Sequence, residues 1–314
     1  MKGLRTGAVR RERISLGLKV PVIIGSGIIG FGEEYDEVID YSAYGAIVTK
    51  TITLEPRAGN PAPRIAEVKN IHSVINSIGL ENPGLKVFLS EKVKSLERLS
   101  AKTKVIVSVA GESKEEFFTL VKEVSGLKFI SGIELNLSCP NIRGKRNIFN
   151  LVDKKLLSDT LRSIRGATAL PIIPKLPPVG VDLIELAKVC KDCSADAIVV
   201  ANTFPAMVVS ADIKEMELVL KRKQELCNKR LRFGGLSGLA VKPVILRYVY
   251  EIRRNVEIPI IASGGIVSVR DALEYFIAGA SAIEIGSGLF CNPKIGEEIA
   301  EYVKKKRIRC SMPL

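Results

Sequence analysis

Eight short apolar segments, each followed by a stretch of helical period, run through this chain, and that alternation constrains its fold more than any single motif does. The apolar segments are 20–26, 46–50, 104–109, 133–138, 171–176, 197–203, 259–263 and 282–286. Helices are predicted near 33–42, 82–99, 113–125, 153–166, 181–192, 240–255, 269–278 and 293–306. Strands separated by helical crossovers pair in parallel, and eight such units are the number that closes a (β/α)8 TIM barrel. An open doubly wound sheet does not require eight units, and the glycines of GSGIIGFG (25–32) have the wrong offsets for a dinucleotide-binding turn. A typical barrel takes about 250 residues, so a chain of 314 carries a surplus. That surplus falls in two connections, 51–81 and 204–238. Both follow strands and so belong to the face where barrels carry their chemistry. With no break in composition, residues 1–314 read as one domain with extended loops at the C-terminal face of the strands.

The net charge of +13 would suit nucleic acid, an anionic surface or small anionic substrates. The densest basic runs, 221–232 and 304–309, are not interleaved with aromatic residues, and the chain has no Trp. Stacking platforms for a nucleic-acid strand are therefore missing, and both runs read as solvated surface. No stretch is apolar enough for a signal peptide or a membrane span, which gives a cytoplasmic expectation with no membrane partner. Six scattered cysteines read as reduced thiols. Cys190 and Cys193 form a C-x-x-C at the wrong end of a predicted helix for redox work, and the single histidine, His72, sits in a long connection. No set of side chains has metal-ligand spacing, so no metal is expected.

The most informative string is ELNLSCPN (134–141). Strand alternation places Ile133, Leu135 and Leu137 on one face and Glu134, Asn136 and Ser138 on the other. Unpaired polar groups in a dry core cost about 1–3 kcal/mol each, so the polar face must meet a lined cavity or a barrel interior. Cys139 stands where this strand ends, and Pro140 stops the pairing. At other strand ends, Lys50 shares a face with Ala46 and Val48, Lys175 with Ile173, and Asn202 with Ile198 and Val200. Two lysines and two asparagines are thus expected at one mouth beside Cys139, a cationic, donor-rich site suited to an electron-rich heterocycle and an anionic group. The last two strands end in SGGI (263–266) and GSG (286–288), and GGLSG (234–238) precedes a predicted helix. Glycines there let backbone N–H groups approach a phosphate, which is the usual phosphate position of this fold.

Together with KTITLEPRAGNPAPR (50–64), NSIGLENPG (76–84), KLPP (175–178) and NT (202–203), these strings resemble dihydroorotate dehydrogenase of class 1 from about Val20 to Pro293. LENPG and RIAE are closer to the NAD-linked 1B branch than to the fumarate-linked 1A branch. Cys139, where the membrane-bound class 2 has serine, argues against that class, as does the absence of an N-terminal anchor. The resemblance implies a barrel that binds FMN and oxidises dihydroorotate to orotate in pyrimidine synthesis. Cys139 would take the C5 proton while a hydride leaves C6 for the flavin. Lys50, Asn76, Asn136, Asn202 and Thr203 would contact the substrate, with the turn Ser77, Ile78, Gly79 and Leu80 beside them. Ser26, Lys50, Thr51, Ser108, Asn136, Lys175 and Val200 would line the flavin ring. Gly235, Ser237, Gly264, Gly265, Gly286 and Ser287 would hold its phosphate end. Residues 142–147, with Gly144 as pivot, would form a lid.

The chain departs from the family pattern at Ser108, where Asn is usual, at Pro178-Val179, where P-N is usual, and in the long basic connection 204–238. A flavoprotein resembling the uracil site of dihydropyrimidine dehydrogenase is the nearest alternative. A tRNA dihydrouridine synthase is a more distant one, and it would need an added helical domain. A non-catalytic binding subunit would have no use for Cys139 with both lysines. The 1B resemblance implies NAD as final acceptor, yet no Rossmann fingerprint or clustered set of cysteines is visible. A second subunit carrying FAD and an iron–sulfur cluster is therefore expected, and the barrel itself is expected to form a dimer.

Overall fold

In the computed structural model eight parallel strands close on themselves, and the connections leave from their C-terminal ends to build a second, smaller sheet. The structure describes residues 16–33, 35, 37–137, 153–178, 180, 182–210, 213–222 and 231–308. Cys139, the expected lid 142–147, Val179 and most of the basic run 221–232 lie outside the described residues. In chain order the strands are β1 (Val22–Ile24), β2 (Ala46–Val48), β3 (Ile65–Val68), β4 (Ser73–Asn76), β5 (Lys104–Val109), β6 (Ile130–Asn136), β7 (Ile172–Lys175), β8 (Ile198–Val200), β9 (Phe204–Val209), β10 (Leu231–Gly238), β11 (Ile260–Ser263) and β12 (Ala282–Ile285). The barrel runs β1-β12-β11-β8-β7-β6-β5-β2 and closes by parallel pairing of β2 with β1. The predicted TIM barrel is thus the observed fold.

Every barrel strand feeds an outer apolar layer, and every one but β6 also feeds an inner one. Ile24, Ile47, Val107, Leu135, Ile172, Val200, Ala262 and Ile285 face outward and join the helices in one large cluster. Ile23, Ala46, Val48, Ile106, Ile173, Val199, Ile261 and Ala282 face inward and fill the barrel, with Leu16 beside them. Burying an Ile or Leu side chain contributes about 1.5–3 kcal/mol, so these two layers dominate the favourable side of folding. Helix starts are marked by side-chain caps: Ser113, Asp153, Asp182 and Ser268 each accept a hydrogen bond from a first-turn N–H.

Three expectations need correction. The helix predicted at 33–42 is not formed among the described residues; the segment instead ends in a short 3-10 turn, Tyr41–Ala43, capped by Asp40. Here Tyr41 and Tyr44 bury their rings, and Tyr44 lies where a Cβ on Gly296 would sit, so packing against the helix Ile295–Lys305 replaces a helix of its own. The connections 51–81 and 204–238 are not plain loops. They supply an antiparallel sheet of order β3-β4-β10-β9, with Gly235 paired to Asn76, plus the helix Ile213–Arg222. GGLSG is therefore part of β10 rather than a turn. Finally, Ile198 and Val200 face outward, and it is Ala197 and Val199 that point into the barrel.

Candidate active site

The barrel interior changes character along its axis. At the N-terminal end it is filled by small and branched apolar groups, whereas the C-terminal end of the same strands presents Ser108, Glu134, Asn136, Lys175, Ser263 and Glu284. Above this polar layer opens a cavity of about 330 Å³, in the size range of small-ligand sites. Ser26, Lys50, Thr51, Asn136, Lys175, Asn202 and Thr203 line it from the barrel. Asn76, Ile78, Gly79, Leu80 and Ser237 line it from the second sheet and its turn.

Hydrogen bonds tie these side chains into one chain. Asn202 Nδ2 donates to Asn136 Oδ1 (3.1 Å), and Asn136 Nδ2 donates to Thr51 Oγ1 (3.3 Å). The Thr51 hydroxyl lies 3.0 Å from Ser108 Oγ and 3.2 Å from Ser26 Oγ. Ser108 in turn donates to Glu134 Oε1 (2.9 Å), and Ser26 to the Thr49 carbonyl (2.8 Å). A network fixed in this way holds the amides of Asn136 and Asn202 in set orientations toward whatever occupies the cavity.

Beneath the cavity Lys175 stands between two carboxylates. Its Nζ is 2.5 Å from Glu284 Oε1 and 3.8 Å from Glu134 Oε2. Glu134 is 1% exposed, Glu284 2% and Lys175 8%. Burial pushes the Glu134 carboxyl up to about 8, with Lys175 opposing the rise and Glu284 adding to it. For Lys175 burial works against the charge, but the two carboxylates outweigh it and hold the ammonium above the usual lysine range. At the rim a second cationic group forms, where Glu81 Oε2 is 2.7 Å from Arg64 and 3.6 Å from Lys50 Nζ.

The far side of the cavity is a glycine cradle at the ends of β11 and β12. Gly265 has a φ of +65° and lies so close to Lys242 and the Gly238 carbonyl that a Cβ would collide. Gly286 has nothing within 4 Å of the place a Cβ would occupy, so its backbone borders open cavity. Gly264 and Ser287 complete this wall.

With the geometry in view, comparison with known proteins is decisive. A sequence profile of the dihydroorotate dehydrogenase family matches residues 10–306. The chain belongs to the dihydroorotate dehydrogenase family. Among curated relatives, a dihydroorotate dehydrogenase B (NAD(+)) catalytic subunit from Caldicellulosiruptor bescii is 44% identical over 299 residues, covering 94% of each chain. Proteins of the same name from Caldicellulosiruptor saccharolyticus and Geobacter sulfurreducens are 43% and 38% identical, over 94% of this chain and 94% and 91% of theirs. The resemblance to the 1B branch is thus borne out. Family membership implies a flavin, and the residues present fit one: a lysine under the cavity for an electron-rich ring, and a cradle open at Gly286 for an anionic tail.

The structure brings sixteen of the expected site residues to the cavity wall: Ser26, Lys50, Thr51, Asn76, Ile78, Gly79, Leu80, Asn136, Lys175, Asn202, Thr203, Ser237, Gly264, Gly265, Gly286 and Ser287. Four others stand behind the wall. Ser77 accepts a hydrogen bond from Asn60 Nδ2, Ser108 is buried below the floor, and the Val200 side chain packs outward. Gly235 lies in β10, where a Cβ would strike Thr203. The Ser108 hydroxyl lies against Thr51 and donates to Glu134. Sequence reasoning missed Glu284, Ser263 and Glu81. Glu284 was readable, since the alternation in AIEI that buries Ile283 and Ile285 outward turns Glu284 inward. Glu81 carries no such signal, because it lies in an irregular connection outside any strand or helix.

Among the described residues no helix is long and apolar enough to cross a membrane, and no group of three or more His, Cys, Asp or Glu side chains could hold a metal ion.

Proposed function

We propose that this chain is one flavin-binding barrel domain that oxidises dihydroorotate to orotate, with FMN as its flavin and a second subunit receiving the electrons. The observation that carries this reading is the convergence of Lys50, Asn76, Asn136, Asn202 and Thr203 on one cavity whose opposite wall is the glycine cradle of β11 and β12. The amides offer the paired donors and acceptors that a pyrimidine ring demands, and Lys50 offers a cation for its carboxylate. Ser237, Gly264, Gly265, Gly286 and Ser287 would hold the phosphate, and Ser26, Thr51, Asn136 and Lys175 would border the ring. FMN, when bound, supplies the acceptor for the hydride that leaves C6 of the substrate.

Cys139, three residues past Asn136 in the chain, is proposed as the base that removes the C5 proton. A free thiol titrates near 8.5, so the rate rises with pH as the thiolate forms. Asn136 and Asn202 orient the ring for that proton transfer, and their mutual hydrogen bond keeps both amides from rotating away. The curated relatives are named as catalytic subunits of an NAD-linked enzyme, and this sequence shows neither a dinucleotide turn nor clustered cysteines. This supports a relay in which a partner subunit carries FAD and an iron–sulfur cluster, within a dimeric assembly.

The test is a visible spectrum of the FMN-loaded protein without oxygen. Dihydroorotate should bleach the flavin absorption, and orotate, but not uracil, should perturb it. Protein that binds no flavin, or that responds to uracil instead, overturns the reading. For the relay, the isolated chain should reduce an artificial dye with dihydroorotate but not NAD; rapid NAD reduction refutes it.

A further inference from the structure

The buried group of Glu134, Lys175 and Glu284 does more than the single lysine expected from sequence. We propose that the two carboxylates are positioning residues for Lys175. Glu284 anchors its ammonium at the cavity floor, and Glu134 adjusts the charge of that floor by taking up a proton when negative charge enters the cavity. The inference rests on the flavin reading above and deepens it.

The geometry separates the two roles. Glu284 Oε1 makes the close contact with Lys175 Nζ, at 2.5 Å, and itself lines the cavity. Gly25 leaves room for it, since a Cβ there would come within 2.8 Å of Glu284 Oε1. Glu134 stands farther away, at 3.8 Å, and its Oε2 is buried without a hydrogen-bond partner. A charged oxygen in that position is the form burial penalises most, so Glu134 is the member that changes protonation. The rise of its carboxyl to about 8 has this physical origin.

The groups facing Glu134 are few. Lys175 comes from β7, Glu284 from β12 and the Ser108 hydroxyl from β5. Ser263 of β11 lies 3.5 Å from Glu284, while β1, β2 and β8 present Ile23, Val48 and Val199 to the interior. One ammonium and one ionised carboxylate cancel, whereas ionising the second carboxylate leaves the floor negative. Above that titration, extra negative charge in the cavity is disfavoured unless Glu134 takes a proton back. Through Ser108, Thr51 and Asn136 the same proton is linked to the amides at the mouth.

The experiment is a spectroelectrochemical titration of the FMN-loaded protein from pH 6.5 to 9.5. Mediators supply two electrons to the flavin, and the proton on Glu134 comes from the buffer. Above about pH 8 the midpoint potential of the wild type should fall more steeply with pH than that of Glu134→Gln. The difference is up to a tenfold change in the reduced-to-oxidised ratio per pH unit, or about 30 mV for a two-electron couple. Glu284→Gln should move the inflexion, because Lys175 is then free to approach Glu134. Ser108→Ala, which deletes the hydrogen bond favouring the charged form of Glu134, should move the inflexion to higher pH and serves if Glu134→Gln does not fold. Parallel potential–pH lines for the wild type, Glu134→Gln and Ser108→Ala overturn the inference while leaving the flavin reading intact. Failure of the wild type to bind flavin overturns both.

Discussion

Replacing Lys175 by Met tests whether the buried charges are held by that one cation. The side chains are similar in length, so the change removes the ammonium and leaves the packing nearly unaltered. Glu134 and Glu284 would then face each other at 1% and 2% exposure with no cation between them. Leaving one of these charges unpaired costs about 3–5 kcal/mol. The alternative is to hold an extra proton that the unfolded chain releases near pH 4.3, at about 1.4 kcal/mol per pH unit above that value. At pH 5.5 the proton is the cheaper solution, at roughly 1.5 kcal/mol. At pH 8.5 it would exceed 5 kcal/mol, so the loss reaches the roughly 3–5 kcal/mol of the unpaired charge. The sign follows from proton counting: below about pH 8 the wild type already holds the Glu134 proton, and the folded variant holds one proton more, so the penalty relative to the wild type grows as pH rises. Urea unfolding of both proteins, followed by circular dichroism at pH 5.5 and 8.5, should give a penalty two- to threefold larger at the higher pH. An equal penalty at both pH values, or a larger one in acid, refutes the argument.

Two further outcomes follow from the site. Gly286→Val places a side chain in open cavity, so it should leave the melting temperature of the flavin-free protein nearly unchanged while weakening FMN binding by at least tenfold in a fluorescence titration. Cys139→Ala should abolish flavin reduction by dihydroorotate yet keep orotate binding within a few-fold, as read from the spectral shift; reduction at the wild-type rate would reassign the base.

What was legible in sequence is what depends on period. Glu134, Asn136 and Lys175 lie on regular stretches of β6 and β7, and their inward direction follows from alternation alone. The same rule failed at Asn202. The strand β8 ends at Val200, and beyond it the Ala201 and Asn202 amides bond to the Ser263 and Leu176 carbonyls. Asn202 therefore reaches the cavity by a change of backbone direction, not by sharing a face with Val200. The second sheet was illegible for a different reason. Its strands β4 and β10 are paired across 159 residues, from Asn76 to Gly235, and nothing local announces a partner so distant. The missing first helix reflects tertiary packing: the Tyr41 and Tyr44 rings need burial that a helix in that register would not provide.

That second sheet also orders events during synthesis. The hairpin β3–β4 leaves the ribosome long before β10, its other neighbour, exists. At about 5–20 residues per second the intervening chain takes roughly 8–30 s to make. For that time β4 has an open edge, which is the kind of surface that recruits unrelated strands. Its present neighbour β3 is poorly suited to such recruitment, because Glu67 is exposed on it and Arg64 and Lys69 flank it. The roof of the cavity thus waits half-built, with β4 unpaired on one side, until the last third of the chain arrives.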